Sequence, residues 1–146
     1  MIDPAAITVR QATPADADRI ASLFTDEGYP AGPTDIVARL ERFGSKFSTV
    51  SVAEIGGEIL GFVAVHLMPR FEHDDRICRV LALVVDASVR ERGVGHALMA
   101  EAERIGRDGG AAFIEVTAGH HRPEAQRLYE ALGYDATVAV YLRKRL

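Results

Sequence analysis

A single mixed α/β domain is what this sequence predicts, and three observations predict it. The chain has 146 residues, 48% hydrophobic and 26% charged, close to the average for one soluble globular domain. Period-2 alternation dominates the first half after two short helical stretches, whereas in the second half apolar stripes at helical spacing alternate with short strands. No repeat, low-complexity tract or Pro/Gly-rich linker interrupts the chain, so residues 1–146 read as one domain.

Ile7 to Ala12 alternates like a half-buried strand. Thr13-Pro14-Ala15-Asp16 reads as a helix start, with Thr13 as N-cap, Pro14 in the first helical position and Asp16 closing a capping box. Ile20, Leu23 and Phe24 form the apolar stripe, and Gly28 with Pro30 stops it. A second helix is expected from Thr34 to Phe43, with Ile36, Val37 and Leu40 facing inward. Ser48–Ile55 and Glu58–Met68 are β-rich and joined by Gly56-Gly57, a two-residue hairpin signal. Ile77 to Val85 is apolar on both faces toward its end, which predicts a central strand. The next helix carries Val94, Ala97, Leu98, Ala102 and Ile105, and Gly109-Gly110 end it. Phe113 to Thr117 reads as a short buried strand, parallel to its predecessor by the strand–helix–strand rule. A last helix from Pro123 places Ala125, Leu128, Tyr129 and Leu132 on one face, with Gly133 as C-cap. Tyr134 to Leu146 reads as a closing strand or hairpin ending in Arg143-Lys144-Arg145.

Composition excludes several classes of function. The longest aliphatic run, Val80–Val85, is far short of the ~20 residues a membrane helix needs. The N-terminus lacks a basic and an apolar region of the secretory kind, so a cytoplasmic protein is expected. Cys78 is the one cysteine, which rules out an internal disulfide and a cysteine-built metal cage. A net charge of −4 gives no electrostatic reason to expect nucleic-acid binding.

The informative stretch is Val84 to Leu98, where a buried strand runs into a basic, glycine-containing loop that opens a helix. Amides in the first helical turn have no internal partner, and the helix dipole adds about half a positive charge there. Gly93 and Gly95 admit a ligand close to the main chain, and Arg90 and Arg92 add positive charge. Phosphate or pyrophosphate is the ligand this suits. A nucleoside-triphosphate loop needs Lys and Ser or Thr after its last glycine, but His96-Ala97 stand there. A dinucleotide fingerprint needs a third glycine where Leu98 stands, although Glu115 lies where a ribose-binding acid belongs. The plain alternative is that Gly93 and Gly95 only shape a tight connection.

Arg90-x-x-Gly93-x-Gly95, between that strand and that helix, resembles the acyl-CoA-binding signature of the GNAT superfamily of N-acetyltransferases. Ala125-Gln-Arg-Leu128-Tyr129-Glu-Ala-Leu132-Gly133-Tyr134 resembles the family's second hallmark helix, and the order of elements matches across essentially the whole chain. The resemblance implies a mostly antiparallel, splayed central sheet flanked by helices. It further implies acetyl-CoA as acyl donor without a metal, and a primary amine, on a small molecule or an exposed protein, as acceptor.

On this resemblance the backbone of Leu83, Val84 and Val85 pairs with the pantetheine arm. The amides of Arg90, Glu91, Arg92, Gly93, Val94, Gly95 and His96 then hold the pyrophosphate. The acceptor amine attacks the thioester directly in a ternary complex, an N–H near Val84 or Val85 stabilises the oxyanion, and Tyr129 faces the departing thiolate. Tyr129 equally suits the buried stripe of its helix. An alkyl amine must lose a proton before attack, and Glu72 or His73, on a loop with Asp74 and Asp75, are candidate bases; water is the alternative. That acidic loop also suits a cationic acceptor.

Arg122 stands where the family often has a cofactor-contacting asparagine, and an arginine there can pair with phosphate. His120 and His121 are adjacent in a loop without an evident third ligand, so no metal is expected. Cys78 reads as a small core hydrophobe. His66 reads as a strand residue lining the sheet or facing the acceptor pocket. A catalytically silent acyl-CoA sensor shares every donor residue, and a regulatory domain binding NAD or ATP is a further alternative. A homodimer through the C-terminal strands is in keeping with family habit.

Overall fold

The computed structural model describes residues 2–118 and 122–146. They form two compact units, Met1–Glu115 and Val116–Leu146. The strands β1 (Thr8–Gln11), β2 (Ser48–Ile55), β3 (Glu58–Pro69), β4 (Arg76–Val85) and β5 (Ala111–Val116) make one sheet in the order β1-β2-β3-β4-β5. The first three neighbouring pairs are antiparallel. Helices α1 (Ala17–Asp26) and α2 (Pro33–Arg42) lie between β1 and β2 in sequence. Helix α3 (Val94–Asp108) is the crossover from β4 to β5, and α4 (Pro123–Ala131) belongs to the second unit.

Local chemistry sets most of these boundaries. Thr13 and Asp16 start the first helical stretch as their spacing predicts, beginning with a single 3-10 turn at Pro14–Asp16 before α1. The Thr13 amide donates to the Asp16 carboxylate at 2.7 Å, and Arg10 donates to both of its oxygens at 2.8 and 2.9 Å. Asp16 is therefore buried but fully partnered, and Arg10 above all holds its carboxyl below the ordinary range. Gly56 and Gly57 both have positive φ, 58° and 83°, the geometry a two-residue hairpin turn demands.

The sheet's two faces are covered differently. On one, Ile20 and Leu23 of α1 and Ile36 of α2 pack on Val52, Ile59, Phe62 and Val84. On the other lies α3, whose Ala102 carbonyl is the acceptor nearest the Cys78 thiol. Its buried stripe is Val94, Leu98, Met99, Ala102 and Gly106, so Met99 joins the expected residues while Ala97 and Ile105 are half-exposed.

β4 holds a feature the sequence did not announce. Ala64 pairs with Ala82, but Val65 pairs with Val80, so Leu81 is an extra residue, a β-bulge. The bulge reverses the side-chain phase: Cys78 faces α3, whereas Ala82 and Val84 join the α1/α2 core. β4 is interior rather than central; β3 holds the middle.

Two expectations fail in the last third of the chain. The strand expected to be buried, β5, leaves Phe113 57% exposed, because β5 is last in the strand order and Phe113 packs under the Arg70 guanidinium at 5.0 Å. Residues 134–146 form no strand. Val138, Val140 and Leu142 alternate as a strand would but are all exposed, and alternation without a pairing edge leaves backbone groups to water.

Candidate active site

The strand, loop and helix expected around residues 84–98 are present in that order. β4 ends at Val85, residues 86–93 form the loop, and α3 begins at Val94. The Asp86 amide donates to the Leu60 carbonyl at 2.8 Å, which fastens the loop to β3. The Asp86 carboxylate accepts from the Ser88 amide and hydroxyl at 2.8 and 2.7 Å and pairs with Arg19 of α1. These partners, Ser88 before Arg19, hold the Asp86 carboxyl down at about 2. Arg90 is paired with Glu27 at the end of α1, so α1 grips the loop at two points.

Glu91 has φ 62° and Gly93 φ 96°, left-handed conformations that turn the chain sharply ahead of the helix. Glu91 is the only non-glycine with positive φ among the described residues, strain of the kind that collects at functional loops. The first helical bond runs from the Ala97 amide to the Gly93 carbonyl at 3.0 Å. The amides of Val94, Gly95 and His96 thus precede it and have no partner in the helix, which is the donor set an anion needs. Arg92 and His96 are exposed beside them.

Gly61 fixes how closely the helix start approaches the sheet. A Cβ there would stand 2.8 Å from the Val84 carbonyl oxygen, 3.1 Å from Leu98 Cδ1 and 3.2 Å from Val94 Cγ1. Only glycine lets the first turn of α3 sit over β3 at this height. The sequence held a signal for it, an isolated glycine inside a strand pattern. Arg19 and Glu27 had none, because their partners lie 67 and 63 residues away.

In the second unit, Tyr129 is the one buried residue of α4, with its ring centroid 5.8 Å from that of Tyr134. Burial pushes its phenol up from the ordinary value and Arg122 pulls it partly back, so the group holds its proton at neutral pH. His120 and His121 lie outside the described residues.

Glu72 and His73 are exposed on the β3–β4 loop. Arg70 takes up Asp75 through bonds of 2.5 and 2.7 Å and approaches Glu72 at 3.9 Å, so much of the acidic cluster is neutralised locally. With Asp74 and Asp75, His73 lines a 340 Å³ cleft closed by Gly109 and Gly110. That cleft is at the opening of β4, and the loop of residues 86–93 is at its other end. Arg76, where this loop enters β4, is already six paired residues or roughly 20 Å from Leu83, and Glu72 and His73 lie beyond it. The structure does not bring them together with the donor segment.

A five-stranded sheet whose bulged strand leads into an amide-rich helix start defines an α/β protein with a helix N-terminus of the kind that suits a phosphate group. The sequence profile of the acetyltransferase (GNAT) family matches residues 17–134, and the chain belongs to that family. It is accordingly an N-acetyltransferase with acetyl-CoA as donor. It is 28% identical over 130 residues to an aminoalkylphosphonate N-acetyltransferase of Salmonella typhimurium, covering 86% of this chain and 83% of the other. Among solved structures, a protein from Bacillus halodurans described as a transcriptional regulator superposes with a TM-score of 0.88 at 23% identity, covering 96% and 99% of the two chains. An aminoglycoside N-acetyltransferase in complex with CoA gives a TM-score of 0.80 at 20% identity, covering 96% and 95%. At these identities the two structures speak for the fold alone.

Proposed function

We propose that residues 1–146 act as one acetyltransferase domain that moves the acetyl group of acetyl-CoA to a small primary amine by direct attack. The observation that carries this reading is the start of α3. Three amides without helical partners stand behind a loop gripped by Arg19 and Glu27, with Gly61 clearing the space beneath. In this reading the amides from Arg90 to His96 hold the pyrophosphate, and the backbone of Leu83, Val84 and Val85 takes the pantetheine amides.

A bound thioester fixed by its long arm reacts by proximity, with little covalent work asked of the protein. Direct transfer is further supported by Cys78. The one thiol of the chain is fully buried beneath α3, and burial pushes its pKa up, which makes it a poor acyl carrier. Tyr129 is assigned to the departing thiolate, where a phenol raised by burial favours a strong hydrogen bond over full transfer. Arg122 is assigned to the donor's phosphates. The name of the Salmonella relative specifies a small amine, which supports a small-molecule acceptor over a protein one.

Initial rates of CoA release, with acetyl-CoA and amine both varied, test the proposal. Intersecting double-reciprocal lines and an acetylated product of the expected mass support it. Parallel lines, the pattern of a covalent acyl-enzyme, refute the direct route.

A further inference from the structure

One row of polar side chains crosses the sheet beside the β4 bulge. Ser48 of β2 pairs in register with His66 of β3, and His66 with Arg79 of β4. Ser48 Oγ lies 2.7 Å from His66 Nδ1, and Arg79 stands 3.8 Å from Glu115 of β5. Directly paired residues share a face, so the row lies on the α1/α2 side with Phe62 and Ala64.

That side is only half covered. On the α3 side the strands are buried throughout at this end, at Val65, Leu67, Cys78 and Val80. On the row's own side Met68, Ile77, His66 and Arg79 are all half-exposed, because the α1/α2 core stops at Ala82 and Val84. A sheet interior with an open polar floor is unusual, since ordinary packing would fill it with aliphatic residues. Arg79 and Glu115 form a loose ion pair at 3.8 Å, beyond hydrogen-bond distance, and among the described residues Arg79 makes no hydrogen bond. Both keep their bonding capacity toward a ligand.

We propose that this row is the acceptor site, and that the acceptor is a small primary amine carrying an anionic group a few bonds from its nitrogen. The proposal rests on the acetyltransferase reading above. Opposite charges 3.8 Å apart on the floor match a ligand with opposite charges at similar separation: ammonium toward Glu115, anion toward the guanidinium fork of Arg79. A lone cation such as a polyamine would place positive charge against Arg79. Arg79 lies opposite His66 and Leu83 opposite Val63, three residues or ~10 Å along β3, a gap that the acceptor and the acetyl end of the donor close together.

The step balances as follows. The amine nitrogen attacks the thioester carbonyl carbon, the C–N bond forms and the C–S bond breaks, and the electron pair leaves on sulfur. Of the two protons the ammonium sheds, one ends on the CoA sulfur. The other passes to the Glu115 carboxylate that the ammonium faces and on to solvent.

The test compares kcat/KM for 2-aminoethylphosphonate, ethanolamine and spermidine, in the parent chain and in Arg79→Gln and Arg79→Lys. A charge-assisted contact of this kind is worth about 10- to 100-fold. The parent is expected to favour the phosphonate by that factor, Arg79→Gln to bring the phosphonate/ethanolamine ratio near unity, and Arg79→Lys to recover part of it. Ethanolamine or spermidine equalling the phosphonate, or a ratio that survives Arg79→Gln, overturns the proposal. Acetyl-CoA-induced thermal stabilisation of the parent, read alongside, separates the two levels: its absence overturns the acetyltransferase reading itself, and the proposal with it.

Discussion

Gly61→Ala tests whether the height of α3 above the sheet makes the donor site. The new Cβ would meet the Val84 carbonyl at 2.8 Å, and reaching the 3.4 Å of ordinary contact requires a displacement of about 0.6 Å. Neither neighbour yields readily. The oxygen is backbone in a strand paired with β3, and Leu98 and Val94 are fully buried on the helix's first turns. Overpacking of this kind costs about 1–3 kcal/mol. For a chain of this length each kcal/mol lowers Tm by about 2–5 °C. A loss of about 2–15 °C is therefore expected by thermal unfolding. The substitution also lifts the amides of Val94 to His96 away from their positions, so stabilisation by acetyl-CoA should shrink. Gly106→Ala is the control: its Cβ would press on Cys78 Cβ at 3.1 Å, at the other end of the same helix. That variant should lose stability yet keep the full acetyl-CoA response. A Gly61→Ala protein with an unchanged Tm and an undiminished response would refute the reasoning.

Asp86→Ala removes the acceptor of two Ser88 bonds and the partner of Arg19; a loss of about 1–3 kcal/mol and a weaker acetyl-CoA affinity by calorimetry are expected. Arg10→Ala leaves the Asp16 carboxylate buried with only Thr13 beside it, and chemical denaturation should report a loss of about 2 kcal/mol, between the values for exposed and buried pairs. Asp16 and Asp86 both titrate below their unfolded value of 3.8, so each stabilises the fold above that value and loses its contribution as pH falls through its lowered folded pKa. Stability should accordingly hold down to about pH 4 and then fall, with a smaller fall in Asp16→Asn. Tyr129→Phe should bind acetyl-CoA as the parent does but turn over at least about tenfold more slowly; unchanged turnover would remove the assignment.

What was legible in the sequence is what local chemistry decides. Thr13 with Asp16, Gly56 with Gly57, and the stripes of α1 to α4 announce their elements because caps, turns and helical spacing act over a few residues. The loop that opens α3 was legible for the same reason. The bulge at Leu81 was not, because an extra residue in an aliphatic run leaves the alternation intact on paper and reverses it only against β3. Arg19 and Glu27 escaped notice because a surface arginine or glutamate on an amphipathic helix carries no mark of its partner. His66 reads from the sequence as a residue lining the sheet, but its row with Ser48 and Arg79 exists only once β2, β3 and β4 are in register and β5 brings Glu115 to Arg79. Residues 134–146 show the opposite failure, since Val138, Val140 and Leu142 alternate as a strand would and remain unpaired and exposed.

The central claim is that the β4–α3 junction holds the donor, and backbone amide resonances followed during a titration with acetyl-CoA test it most directly. Saturable shifts confined mainly to Leu83–Val85 and Arg90–His96, reproduced by CoA and absent with NAD or ATP, are the predicted result. Saturation without movement of the Val94, Gly95 and His96 amides, or no saturation at all, would contradict it.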